Sequence, residues 1–189
     1  MSCPSILARN APLAMLLLAV LPAQAAEWRM QSGSKFTFAA TFEGVGTPGR
    51  FELFDLILEF DPANPGTGHL RVAVDLTGAD MGDPDMNTVI AGPAWFDVGN
   101  FPQAVFESER IEALGPGEFV ATGVLNLKGI SKTVAVPFSW SQDGARADMR
   151  GGFVLQRINF NVGSGEWATG DAIGIDVQLR FDISLERGE

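Results

Sequence analysis

The chain has 189 residues, 46% of them hydrophobic and 19% charged, with 22 Gly, 11 Pro, 14 Phe, no Tyr and a formal net charge of −10. Such numbers describe one folded domain and exclude a charge-driven disordered chain, in which hydrophobic residues are scarce. The surplus of acid over base sets the field of the chain against polyanions, so no nucleic-acid partner is expected.

Residues 1–25 carry one basic residue, Arg9, an apolar run from Ala11 to Leu21, and Pro22 followed by Ala23-Gln24-Ala25. That order reads as an export signal with cleavage expected after Ala25. An uncleaved anchor is the alternative, but the apolar run is about half of the roughly 20 residues a bilayer span needs. Removing 25 of the 189 residues leaves a domain of 164 residues, 26–189; losing Arg9 takes its charge to −11. The only cysteine, Cys3, leaves with the signal, so no disulfide is expected. A domain of this size folds without one.

Along the rest of the chain the dominant signal is alternation, the mark of strands with one dry face. Phe36, Phe38, Ala40 and Phe42 oppose Lys35, Thr37 and Thr41. A cluster of turn formers, Gly44 to Gly49, follows. Phe54, Leu56, Leu58 and Phe60 oppose Asp55 and Glu59, and after a second turn cluster at 61–66 Leu70, Val72, Val74 and Leu76 oppose Arg71, Asp75 and Thr77. Then comes the one convincing helix: Asp83 as N-cap, Pro84 in the first turn, Met86 to Ala91 as body, Gly92-Pro93 as stop. It would sit between strands as a plug or lid.

The strand near Val105 to Ile111 is ambiguous in phase. Beyond Gly115-Pro116-Gly117, Leu125 and Leu127 oppose Asn126 and Lys128, Val134, Val136, Phe138 and Trp140 form a row, and past Gln142-Asp143-Gly144, Met149, Phe153 and Leu155 form another. Ile173, Ile175, Val177, Leu179, Phe181, Ile183 and Leu185 then alternate with polar residues over thirteen positions. At ~3.3 Å per residue that strand would run roughly 43 Å, so it is expected to curve around a barrel or bend at a bulge. About eight antiparallel strands allow a two-sheet sandwich or a closed up-and-down barrel with one short helix; closure removes exposed edges.

Catalytic chemistry finds little to work with. His69 is the only histidine, which excludes a site built on two imidazoles, and no thiolate remains after cleavage. Asp80, Asp83 and Asp85 lack the spacing, central Gly and terminal Glu of a calcium loop and are better explained by capping and turns. Glu107 with Glu109, or Glu52 with Asp55, could form a glycosidase pair, but read more simply as solvated strand faces. Gly163-Ser164-Gly165 has neither the Lys nor the helix of a phosphate loop and reads as a turn. No metal site and no catalytic residue are expected, and the domain is not read as an enzyme.

The interior itself remains, either a filled core or a tunnel for an apolar chain. About twenty buried methylenes are worth roughly 16 kcal/mol gross at ~0.8 each, against an association cost of ~4–15, so binding there needs no polar motif.

Several short motifs resemble, in order and spacing, the YceI-like family of exported, lipocalin-like polyisoprenoid-binding proteins. They are Trp28 with Ser34-Lys35-Phe36, Gly49-x-Phe51, Phe60-Asp61-Pro62, Trp95-Phe96-Asp97 with Phe101-Pro102 and Phe106-Glu107-Ser108, Gly123-x-Leu125-x-Leu127-x-Gly129-Ile130-x-Lys132, Pro137-Phe138, Arg157-Ile158-Asn159-Phe160, and Val162 to Trp167. The resemblance covers nearly all of 26–189. It implies an extended antiparallel barrel in the periplasm, holding a long isoprenoid or fatty-acyl chain in a hydrophobic lumen. Phe36, Phe38, Phe42, Phe54, Leu56, Leu58, Phe106, Leu125, Leu127, Val136, Phe138, Phe153 and Phe160 would line that lumen. Trp95, Phe96 and the 84–91 helix would lie near its mouth, and Arg157 could meet a phosphate or quinone oxygen, with a surface or strand-pairing salt bridge as the alternative. The ending Gly165-Glu166-Trp167 looks like a branch associated with a membrane cytochrome b, which implies an isoprenoid quinone as bound lipid or an electron-transfer partner. A module that docks on such a cytochrome is thus the rival to a carrier. Gln31 and Gly33 stand where many members carry Asp and His, and Asn159 and Asn161 depart from an Arg-x-Asp-Phe-Gly pattern, which weakens any head-group contact those residues make elsewhere. The sequence leaves both a monomer and a homodimer open.

Overall fold

The alternating rows close into a ring. In the computed structural model, which describes residues 25–188, the strands are β1 (Ala26–Met30), β2 (Lys35–Phe42), β3 (Val45–Phe51), β4 (Phe54–Phe60), β5 (His69–Asp75), β6 (Ala79–Asp80), β7 (Gln103–Gly115), β8 (Glu118–Leu127), β9 (Ile130–Asp143), β10 (Arg146–Gln156) and β11 (Asp176–Arg187), with helix α1 (Pro84–Ala91) between β6 and β7. Every pairing is antiparallel. The order runs β1-β4-β5-β7-β8-β9-β10-β11, and β11 returns to pair with β1 through Met30↔Leu185, which excludes the sandwich. β2 continues β1 along β11, and β3 continues β4 along β2, so the barrel wall has eight staves.

The C-terminal strand does bend around the barrel: β11 pairs with β10 from Asp176 to Glu186, and along its other edge first with β2 and then with β1. Its start lies later than the alternation suggests, because Ile173 makes only an isolated bridge to Phe42. The Gly44 to Gly49 cluster, expected as a turn, is strand in its greater part. Only Glu43 and Gly44, at φ 47° and 80°, form the turn; Pro48 is tolerated because β3 before Arg50 has a partner on one edge only among the described residues.

The ambiguous strand has a physical reason for its ambiguity. Ala104, Phe106 and Ser108 face inward, then the register shifts between Ser108 and Arg110 and the next buried residue is Ile111, a step of three. A bulge thus changes the phase mid-strand. Helix α1 has the expected bounds, with Asp83 Oδ1 accepting from the backbone N–H of Asp85 and Met86. The export signal read over 1–25 lies, but for Ala25, outside the described residues.

Candidate functional site

One end of the barrel is solid. Trp28 and Trp140 meet edge to face at 4.9 Å, Phe60 packs against Phe119 and Trp140 at 5.0 Å each, and Trp28 Nε1 donates to Phe60 O at 3.0 Å. Leu58, Phe60, Ile111, Phe138, Met149 and Leu185 complete this cluster, each at most 2% exposed. A second cluster, including Phe38, Phe51, Leu76, Ile90, Leu127, Phe160 and Leu179, closes the other end under α1.

Between the two the barrel is hollow. Phe54, Val72, Leu125, Val134 and Phe153 touch both clusters but are only partly buried, because their inner faces border a cavity of about 430 Å³. The volume lies within the ~300–1,000 Å³ of small-molecule sites. At ~24 cal/mol per Å³, leaving it unfilled forgoes on the order of 10 kcal/mol of packing, far beyond an incidental packing defect.

Of the residues expected around the lumen, Phe36, Phe38, Phe42, Phe54, Leu56, Trp95, Phe96, Phe106, Leu125, Leu127, Val136 and Phe153 stand in the cavity wall. Leu58 and Phe138 do not: alternation puts them on the inner face, but they fall at the level where the aromatic cluster fills the barrel. Phe160, 1% exposed, is a core residue of the capped end, outside the wall. Phe51, Met81, Met86, Val89, Leu155, Val177, Leu179, Phe181 and Ile183 join the wall without having been singled out. For Leu155 of β10 and Val177, Leu179, Phe181 and Ile183 of β11 the alternation was visible; for Phe51, at the end of β3, and Met81, just beyond the two-residue β6, it was not.

The mouth is marked by the wall residues that also reach solvent: Phe42 at the end of β2, and Asp85, Met86 and Val89 on α1. Asn87 fastens that helix to β6, its Nδ2 donating to Asp80 Oδ1 at 2.9 Å and its Oδ1 accepting from Met81 N–H at 2.7 Å.

Arg157 is in the wall but is not free to meet a head group. Its Nε donates to Gly174 O, its Nη1 to Val162 O and Gly163 O, and its Nη2 to Trp167 O and Ile173 O, at 2.6–3.1 Å. A guanidinium has five N–H donors, and all five are taken by main chain. Nor is it in a salt bridge among the described residues: its partners are neutral carbonyls, and burial pushes its pKa down. Lys128 is a second buried cation at this end, its Nζ donating to Pro93 O and Asn161 O at 2.8 Å. Burial lowers its pKa, and the charge of Asp97 opposes the shift.

Of the other polar sequence candidates, Asp85 stands in the wall, whereas Asp80, Asp83, His69 and the paired glutamates and aspartate lie outside it. His69 is on the outer face, its Nε2 3.8 Å from Glu107 Oε1; Glu52, Asp55, Glu107 and Glu109 are exposed on that face. Among the described residues there is no group of three or more His, Cys, Asp or Glu side chains placed to hold a metal. The N–H groups of Gly163 and Ser164 both donate to Ala94 O, as in a turn.

The crystal structure of Burkholderia cenocepacia BcnA superposes with a TM-score of 0.80 at 34% identity, covering 82% of this chain and 98% of that one. A polyisoprenoid binding domain from Saccharophagus degradans, 14% identical with a TM-score of 0.69 over 87% of this chain and 99% of its own, has the same fold. A UPF0312 protein of Vibrio parahaemolyticus is 26% identical over 180 residues, 90% of this chain and 93% of the relative. The YceI-like domain profile matches residues 28–185, and on that match the chain belongs to the YceI-like domain family.

Proposed function

We propose that the protein is a non-enzymatic carrier that holds the apolar chain of one long isoprenoid or acyl lipid, an isoprenoid quinone among them, inside the barrel. The observation that carries this reading is the hollow between two packed ends, walled by aromatic and aliphatic side chains and open beside α1. The Saccharophagus relative is described as a polyisoprenoid binding domain, which agrees with such a cargo. The export signal read at 1–25 favours the periplasm as the place of work.

Energetically the chain of the ligand suffices. Each methylene moved from water into the lumen contributes about 0.8 kcal/mol, and a long chain outweighs the ~4–15 kcal/mol cost of association. Native mass spectrometry of the protein purified from its own cell, followed by organic extraction, tests the reading. A stoichiometric lipid bound in the intact protein is expected. A protein that is empty and stays empty after incubation with quinones and acyl lipids overturns it and favours the rival, a module that docks on a membrane cytochrome b.

A further inference from the structure

The cavity wall contains two charged side chains, Asp85 and Arg157. Arg157 has every donor committed to a carbonyl, and the ammonium of Lys128, outside the wall, is held by Pro93 O and Asn161 O. Main-chain donors of α1 and of the 163–164 turn are committed as well. In the first turn of α1, Pro84 has no N–H, Asp85 and Met86 donate to Asp83 Oδ1, and Asn87 donates to Asp83 O. Gly163 and Ser164 donate to Ala94 O.

Among the described residues, an amphiphile with its tail in the lumen and its head at this mouth therefore finds no cation free in the wall; the wall's unpaired buried donor is a neutral one, the indole Nε1–H of Trp95. What it also meets is the carboxylate of Asp85, which is exposed and, among the described residues, has no side-chain hydrogen bond or ion pair. The Trp95 N–H serves an uncharged oxygen as well as an anion, but a phosphate or carboxylate head would in addition lose hydration without a counter-charge and face the like charge of Asp85.

Resting on the carrier reading, we propose that the cavity selects against negative charge: it takes long apolar chains that end in an uncharged oxygen group (alcohol, ketone, quinone or ester) or in an ammonium, and refuses those that end in phosphate or carboxylate. Asp85 is the residue that sets this preference. Among isoprenoids, the alcohols and quinones are then admitted and the polyprenyl phosphates refused; among acyl lipids, esters are admitted and free fatty acids refused.

Three ligands with one chain length isolate the head group: hexadecanol, hexadecylamine and palmitate, each titrated against the full domain by displacement of an apolar fluorescent probe at neutral pH. At low salt, palmitate is expected to bind at least about fivefold more weakly than the alcohol, and the gap narrows as salt rises. Asp85→Asn is expected to collapse the amine-to-palmitate ratio, and Asp85→Lys to invert it. Palmitate binding as tightly as hexadecanol at low salt overturns the proposal, as does a ratio that ignores both substitutions. Failure of all three ligands to displace the probe overturns the carrier reading itself, and this inference with it.

Discussion

The guanidinium of Arg157 lies over the indole of Trp95, 5.4 Å from its centroid, while all five of its N–H groups are donated to main-chain carbonyls. Trp95 in turn packs against Trp167 at 6.0 Å. One buried cation thereby ties the 162–163, 167 and 173–174 backbone to the loop after α1. The charge that looked available to a ligand is the clamp that shapes the wall around it.

Replacing Arg157 by Lys retains the charge but offers at most three donors, so at least two of the five carbonyls lose their partner. Each such loss costs ~1–3 kcal/mol, and Arg157→Lys is expected to destabilise the domain by about 2–6 kcal/mol in chemical denaturation. A variant as stable as the parent would show that the clamp is dispensable.

The hollow and solid levels of the barrel should answer differently to substitution. Val134→Phe projects into the cavity, so it is expected to leave stability unchanged or raise it while blocking an apolar ligand; in a filled core the same overpacking costs ~1–3 kcal/mol. Phe138→Ala, in the packed end, is expected to cost about 3–5 kcal/mol. Thermal denaturation with and without ligand reads both, and a clear loss of stability in Val134→Phe would contradict a hollow at that level.

Much of this was legible in the sequence. Period-two rows such as Phe54 to Phe60 and Ile173 to Leu185 specify inner faces, and Asp83-Pro84 with Gly92 specifies the bounds of α1. What alternation does not encode is height along the barrel axis. Leu56 and Leu58 are equivalent in pattern, yet Leu56 borders the cavity and Leu58 is sealed in the aromatic cluster. Nor does a lone arginine reveal its partners when these are backbone carbonyls from five residues scattered over 162–174.

The bulge in β7 is a built feature with its own test. Where the ladder breaks, the hydroxyl of Ser108 accepts from Leu70 N–H at 2.8 Å, replacing a strand-to-strand bond, and β8 approaches so closely that a Cβ on Gly123 would collide with the Glu107 carbonyl and sit 2.5 Å from Ser108 Cα. Gly123→Ala is expected to cost several kcal/mol, the backbone being unable to yield as a flexible side chain would; Ser108→Ala is expected to cost ~1–3 kcal/mol by orphaning a buried N–H. Near-parent stability in Gly123→Ala would mean that the two strands separate freely there.

The attachment of the helix at the mouth carries a pH dependence. Asp80 is held below the usual carboxylate range first by the Asn87 side-chain donor, then by Gly82 N–H, with Arg50 Nη2 at 2.6 Å from Oδ2 adding its charge. A pKa lower in the folded than in the unfolded chain gives stability that is fully present above the unfolded value of ~3.9 and is lost as pH falls through it toward the folded value. Asp61 and Asp75, lowered by their own turn hydrogen bonds, add to the same acid limb. The melting temperature is therefore expected to decline below about pH 4, and Asp80→Asn to start slightly lower at neutral pH and decline less steeply. Because Asp80 is anchored to α1 through Asn87, the same variant should release a bound apolar probe faster at neutral pH. Identical acid limbs in parent and variant would show that Asp80 does not hold the helix.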